Sequence, residues 1–161
     1  MDLIRSPETV PAAGLPRPLV FCAGSIEMGA ASDWQAQVAE QLAAAPGTLL
    51  SPRREEWDAS WPQTPDFAPF NEQVTWELDG ILDHADLVFF HFEAGTRSPI
   101  TLLELGLALS RGLPTVISCP PGFWRHGNVV ITAGRFGERV HDTIDAAVAD
   151  LADRAQQLAL A

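Results

Sequence analysis

Leu87-Val88-Phe89-Phe90-His91-Phe92, followed closely by Gly95-Thr96-Arg97-Ser98-Pro99-Ile100-Thr101-Leu102-Leu103-Glu104-Leu105-Gly106, decides the fold of this chain. The first run is apolar without alternation, the pattern of a strand covered on both faces, which is the usual condition of a strand in a parallel sheet. Ser98 before Pro99 predicts a helix start, with the Ser oxygen as cap and Pro in the first turn. The helix then carries Ile100, Leu102, Leu103, Leu105, Leu107 and Leu109 around most of its circumference, so it packs on more than one side. Glu104 breaks that pattern. A carboxylate set against packed surface is costly without a partner, and positions 100, 101, 107 and 108 hold no cation. Glu104 is therefore a candidate functional acid. The alternative is a narrow solvated stripe shared with Thr101 and Ala108.

Outward from that unit, strands are expected at 19–23, 48–51, 115–119 and 139–141 beside the one at 87–92. Helices are expected from 32, over 70–83, from 98 to 112, over 128–136 and over 143–158. Ser32 and Gln35 make a capping box, and Trp34, Val38 and Leu42 recur at helical spacing behind it. In the helix at 70–83, Val74, Leu78, Ile81 and Leu82 form the expected inner face. This alternation predicts an α/β fold with a five-stranded, doubly wound parallel sheet in a single domain over residues 19–161. Residues 1–18 hold Pro7, Pro11, Pro16 and Pro18 and read as a loose tail. In such a sheet ligands bind beyond the carboxyl ends of the strands. The loops there are 24–29, 52–69, 95–104 and 120–128, which gather Ser25, Glu104 and Asn128 around one crevice bordered by Arg53, Arg54, Trp57, Asp58 and Trp61.

The net charge is −11, with ten Arg and no Lys, and this opposes binding to long nucleic acid or an anionic membrane. A small nucleoside or nucleotide remains compatible with it. Cys22 and Cys119 fall in predicted strands and read as small buried hydrophobes, not as a disulfide, which favours a cytoplasmic setting. The loop Gly24-Ser25-Ile26-Glu27-Met28-Gly29 matches neither the dinucleotide fingerprint nor the P-loop. His84, His91, His126 and His141 have no partners at metal-ligand spacing, so no metal site is expected. No Gly-x-Ser-x-Gly elbow is present.

Several segments taken in order, Val20-Phe21-Cys22-Ala23-Gly24-Ser25-Ile26, Ser51-Pro52-Arg53-Arg54 with Trp57-Asp58, Trp76-Glu77, the 95–106 stretch and Gly122-Phe123-Trp124-Arg125-His126-Gly127-Asn128, resemble the nucleoside 2-deoxyribosyltransferases. The resemblance covers roughly residues 19–140 and is strongest to the short branch opening on Ala-Gly-Ser-Ile. It implies a flavodoxin-like α/β fold and a homo-oligomer. It also implies a nucleophilic Glu in the Glu-Leu-Gly motif, here Glu104, and an Asn completing a neighbouring subunit's site, here Asn128. The chemistry accounts for an acid in an apolar helix: cleaving a deoxyribosyl N-glycosidic bond builds positive charge on C1′, which a carboxylate stabilises or captures as an ester.

The leaving base needs a proton, so a second carboxylate is expected nearby. Glu77 is the first candidate and Asp58 the second. Gly24, Ser25, Arg53, Trp57, Asp58, Ser98 and Asn128 are the expected substrate-binding residues, with Trp57 and Trp61 able to sandwich a base. The two carboxylates suffice for this chemistry, so no cofactor is expected. The partners are a nucleoside or nucleotide and a free nucleobase.

The chain departs from the family pattern in two ways. Ser98 stands where the transferases carry an Asp for the sugar 5′-hydroxyl; relatives that hydrolyse nucleoside 5′-monophosphates have Ser there. Tyr is absent throughout, which leaves Ser25 as the substitute donor to the nucleophile. The alternatives are therefore a 5′-monophosphate N-glycosidase and a non-catalytic nucleotide-binding module.

Overall fold

The computed structural model describes residues 1–26 and 32–161. Within them six strands form one parallel sheet: β1 (Asp2–Arg5), β2 (Leu19–Gly24), β3 (Thr48–Ser51), β4 (Leu87–His91), β5 (Thr115–Ser118) and β6 (Val140–His141), in the order β1-β3-β2-β4-β5-β6. Helices α1 (Trp34–Gln41), α2 (Ala68–Asp79), α3 (Pro99–Ser110), α4 (His126–Arg135) and α5 (Ile144–Ala159) connect and cover them. The fold is the flavodoxin-like single-domain α/β type, with six strands where five were expected. The additional strand comes from the supposed tail. Asp2 to Arg5 pair in register with Thr48 to Ser51 at the sheet edge, and the N-terminal ammonium donates to the Leu42 and Ala45 carbonyls at 2.7 and 2.8 Å.

The central strands are buried along their length because both faces are covered. Phe21, Phe90 and Phe92 point into one core with Leu105, Leu109 and Val129. Val20, Cys22 and Phe89 point into the other with Trp34, Val38 and Leu151. The side-chain period of two along each strand divides these residues between the cores.

Local chemistry sets the ends of the elements. The α1 cap is Asp33, whose side chain accepts from the Ala36 N–H at 3.1 Å, and not Ser32, whose hydroxyl bonds Glu93 instead. A carboxylate suits a helix N-terminus better than a hydroxyl because it also meets the dipole. Thr143 caps α5. Beyond α2 the chain continues through one π turn, Gly80–His84. A Cβ on Gly80 would lie 2.5 Å from the Phe21 ring, so only Gly lets this turn reach the sheet. Leu78, expected inside, is 36% exposed, while Gln73 is the buried residue of α2.

Candidate active site

The β2 and β4 ends meet closely. A Cβ on Gly24 would stand 2.4 Å from the His91 carbonyl and 2.5 Å from the Trp34 ring, so Gly is the residue that fits this approach. The next residue, Ser25, is buried and joins the two loops beyond these strands. Its N–H donates to His91 O at 2.9 Å, and its hydroxyl accepts from the Glu93 N–H at 3.0 Å. That hydroxyl also bonds Thr96 Oγ1 at 2.9 Å and Ser98 Oγ at 2.6 Å. These bonds go to the β4–α3 loop and not to Glu104, which corrects the expectation that Ser25 orients the acid.

Ser98 was expected to cap α3 through its oxygen. It stands at the N-cap with φ +45°, and its hydroxyl bonds Ser25 and Thr96 instead of a helix N–H. A non-Gly residue in the left-handed region is held there by its surroundings, here three mutually bonded hydroxyls.

Beside this junction lies a cavity of about 840 Å³ between α2, α3 and the loop after β3. Its size and mixed lining suit a ligand of nucleoside or nucleotide dimensions. Glu104 and Glu77 both line it, with Gly24, Arg53, Trp57 and Ser98. Glu104 is only 7% exposed, and among the described residues no hydrogen bond or ion pair engages its carboxylate. Burial and, secondly, the Glu77 charge push its pKa well above the ordinary carboxylate range. Burial raises Glu77 from 4.5 to about 7, opposed by a hydrogen bond from Gln73. Two carboxyls that repel within one cavity resist ionising together, so the pair retains one proton where separate carboxyls would have none.

The other expected site residues divide. Asp58 is fully exposed and outside the cavity, and its Oδ1 accepts from the Ser60 N–H at 2.8 Å. That bond holds Asp58 below its ordinary value, so it is an ionised turn residue and not a second acid. Asn128 is exposed on α4 and does not line the cavity, so the expected crevice uniting Ser25, Glu104 and Asn128 is not formed within one chain. Trp57 and Trp61 pack on each other with ring centroids 5.3 Å apart and planes tilted by 58°. They leave no slot for a third ring, which corrects the sandwich; only Trp57 reaches the cavity. Residues 27–29 of the first loop lie outside the described residues. Both thiols are pushed up to about 12 by burial, in keeping with inert side chains.

The raised carboxyl pKa values carry a consequence for stability. The folded chain holds these protons more tightly than the unfolded chain, so stability is greatest below 4.5 for this contribution and falls as pH rises through about 7. Glu104→Gln removes a buried group that must otherwise ionise. Thermal unfolding should give a Tm above the parent's at pH 8, by on the order of 5 °C, with the gap closing near pH 4.5. A gap of the same size at both pH values would contradict the buried-pair account.

The sequence profile of the family described as nucleoside 2-deoxyribosyltransferase like matches residues 17–123, two thirds of the chain and the whole span from β2 to the loop after β5. This chain belongs to that family. Among curated proteins none matches it. A crystal structure described as a conserved protein from Enterococcus faecalis V583 is similar in fold, with a TM-score of 0.58 at 18% identity over 86% of this chain and 97% of its own. The family match includes both cavity carboxylates, Glu77 and Glu104, and the Gly24-Ser25 junction. It stops before Asn128.

Gln73 and Ser6 escaped the sequence reading. Gln73 is buried on α2 one turn before Glu77, and Ser6 is buried just beyond β1. The spacing of Gln73 and Glu77 by four residues was visible, whereas the partner 67 positions away was not.

Proposed function

We propose that this protein cleaves the N-glycosidic bond of a 2-deoxynucleoside and passes the deoxyribosyl group to a second base, through an ester between Glu104 and C1′. The observation carrying this reading is the pair of carboxyls lining one cavity roomy enough for a nucleoside, with both pKa values raised. Carboxyls whose environments perturb them so strongly are suited to dividing the roles of nucleophile and acid. The singly protonated pair is the reactive form once its proton sits on Glu77: Glu104 is the more strongly raised of the two in the free enzyme, and positive charge building at C1′ favours its carboxylate. Glu104 as carboxylate attacks C1′ while the C1′–N bond breaks, and Glu77 delivers its proton to the departing base. A second base then attacks C1′, releases the Glu104 carboxylate and returns its proton to Glu77. Trp57 in the cavity wall offers an apolar ring against the base.

A second reading is hydrolysis of a nucleoside 5′-monophosphate, with water in place of the second base. The specific observation favouring it is Ser98, joined to Ser25 and Thr96, in a cavity wall that also holds Arg53 and Arg97. Incubation with a deoxynucleoside and a different free base tests these readings. A new nucleoside supports transfer, and free sugar or sugar phosphate supports hydrolysis. Tight binding without turnover of nucleosides or their 5′-monophosphates overturns both in favour of a binding module.

A further inference from the structure

Gln73 is 4% exposed and sits between β1, the loop after β3 and the cavity. Its Nε2 lies 2.8 Å from the Pro52 carbonyl and 2.9 Å from Glu77 Oε1; its Oε1 lies 2.6 Å from Ser6 Oγ. A backbone carbonyl can only accept, so the amide has one workable orientation. Both N–H groups of Gln73 donate, to Pro52 and to Glu77, and the Ser6 hydroxyl donates to the Gln73 carbonyl. Ser6 is itself held at the sheet edge, its N–H donating to the Ser51 carbonyl at 3.0 Å. The edge strand and α2 thus fix one oxygen of Glu77 through an amide that cannot turn.

From this geometry we infer that Gln73, locked by Ser6, is a positioning residue for Glu77: it occupies Oε1 as an acceptor, so that the transferable proton resides on Oε2. The inference rests on the proposed role of Glu77 as acid. A carboxyl with one oxygen committed to a donor carries its proton on the other, and the same donor favours the ionised form between turnovers. Gln73 therefore acts through Glu77 and touches neither sugar nor base. The charged groups that also border this cavity are Glu104 on α3, Arg5 closing β1, Arg53, Arg54 and Glu55 after β3, Arg97 before α3, and Asp33 beside Arg53. None of them is hydrogen-bonded to Glu77 among the described residues, and Gln73 is the hydrogen-bond donor recorded for it.

The test compares Gln73→Leu and Ser6→Ala with the parent by two measurements. Titration of the Glu77 side-chain carboxyl by ¹³C NMR, without substrate, should move to higher pH by about one unit in Gln73→Leu, and by less in Ser6→Ala. In the transfer assay kcat should fall about tenfold with KM held, and the pH profile, whose limbs belong to the Glu77–Glu104 pair, should move upward. Should Gln73→Leu fail to fold, Gln73→Met carries the same expectation and Ser6→Ala the smaller upward shift.

An unchanged Glu77 midpoint in folded variants overturns the inference. So does a lower yield of folded enzyme with an unmoved pH limb, which marks a merely structural residue. The two failures are distinguishable: if Glu77→Gln turns over like the parent, the acid role is wrong, while the substrate-free titration still reports whether Gln73 governs Glu77.

Discussion

Glu104→Gln should lower deoxyribosyl transfer by a factor on the order of 10⁴ while leaving the fold intact, because the amide fills the same space without a nucleophilic oxygen. The effect should lie in kcat. A buried side chain facing C1′ contributes little to holding the base, so KM for the donor nucleoside changes by a small factor at most. The shorter Glu104→Ala variant leaves room in the cavity for a small carboxylate from solution. Added formate should therefore restore part of the lost rate in Glu104→Ala and none in Glu104→Gln. Parent-like transfer by either variant would remove Glu104 from the reaction.

Glu77→Gln should produce the second largest loss, about 10²- to 10⁴-fold, the usual contribution of a positioned acid. The loss should depend on the leaving group. A nucleoside whose base departs readily as an anion needs no proton and should react with Glu77→Gln at close to the parent rate, whereas an ordinary base should not. The pH profile supplies an independent check. On the proposed mechanism the singly protonated pair is the active form of the parent, so the rate should fall on the alkaline side as the last proton leaves. It should fall on the acid side as the second carboxyl gains one, both limbs belonging to the pair and not to either residue. With Gln at position 77 the alkaline limb disappears. The ionisation of Glu104 then moves downward, since the Glu77 charge is one of the causes holding it up. An unaltered bell in this variant would assign the acid elsewhere.

The parts of the protein that could be read from its sequence are those where the signal is local. β4 and α3 are continuous apolar runs, and a lone acid in such a run has few structural explanations, so Glu104 stands out from sequence alone. Glu77 answers the chemistry's demand for a second carboxyl, but in the sequence Asp58 answers it as well. Only the packing separates them: α2 turns Glu77 into the cavity, while Asp58 folds back on Ser60.

What escaped depends on contacts between distant segments. β1 is four residues among prolines and is a strand because β3 offers it an edge. Ser98 carries every local mark of a helix cap, yet Ser25, 73 positions earlier, takes its hydroxyl. Neighbouring residues also compete: Ser32 and Asp33 are equally good caps by type, and the position of the first helical turn selects Asp33. The Gln73 relay joins residue 6, the carbonyl of residue 52 and residue 77, a combination with no periodicity to reveal it.

The most direct test of the central claim is the mass of the intact protein, followed by peptide mapping, after reaction with a 2-fluoro-2-deoxynucleoside. Its fluorine slows formation and release of the ester alike by opposing positive charge at C1′, and a readily departing base keeps formation the faster step, so the ester accumulates. The account predicts a mass increase equal to one fluorodeoxyribosyl group, located on the peptide containing Glu104 and absent from Glu104→Gln. An adduct on any other residue, or turnover of natural nucleosides by a parent enzyme that never acquires one, would contradict it.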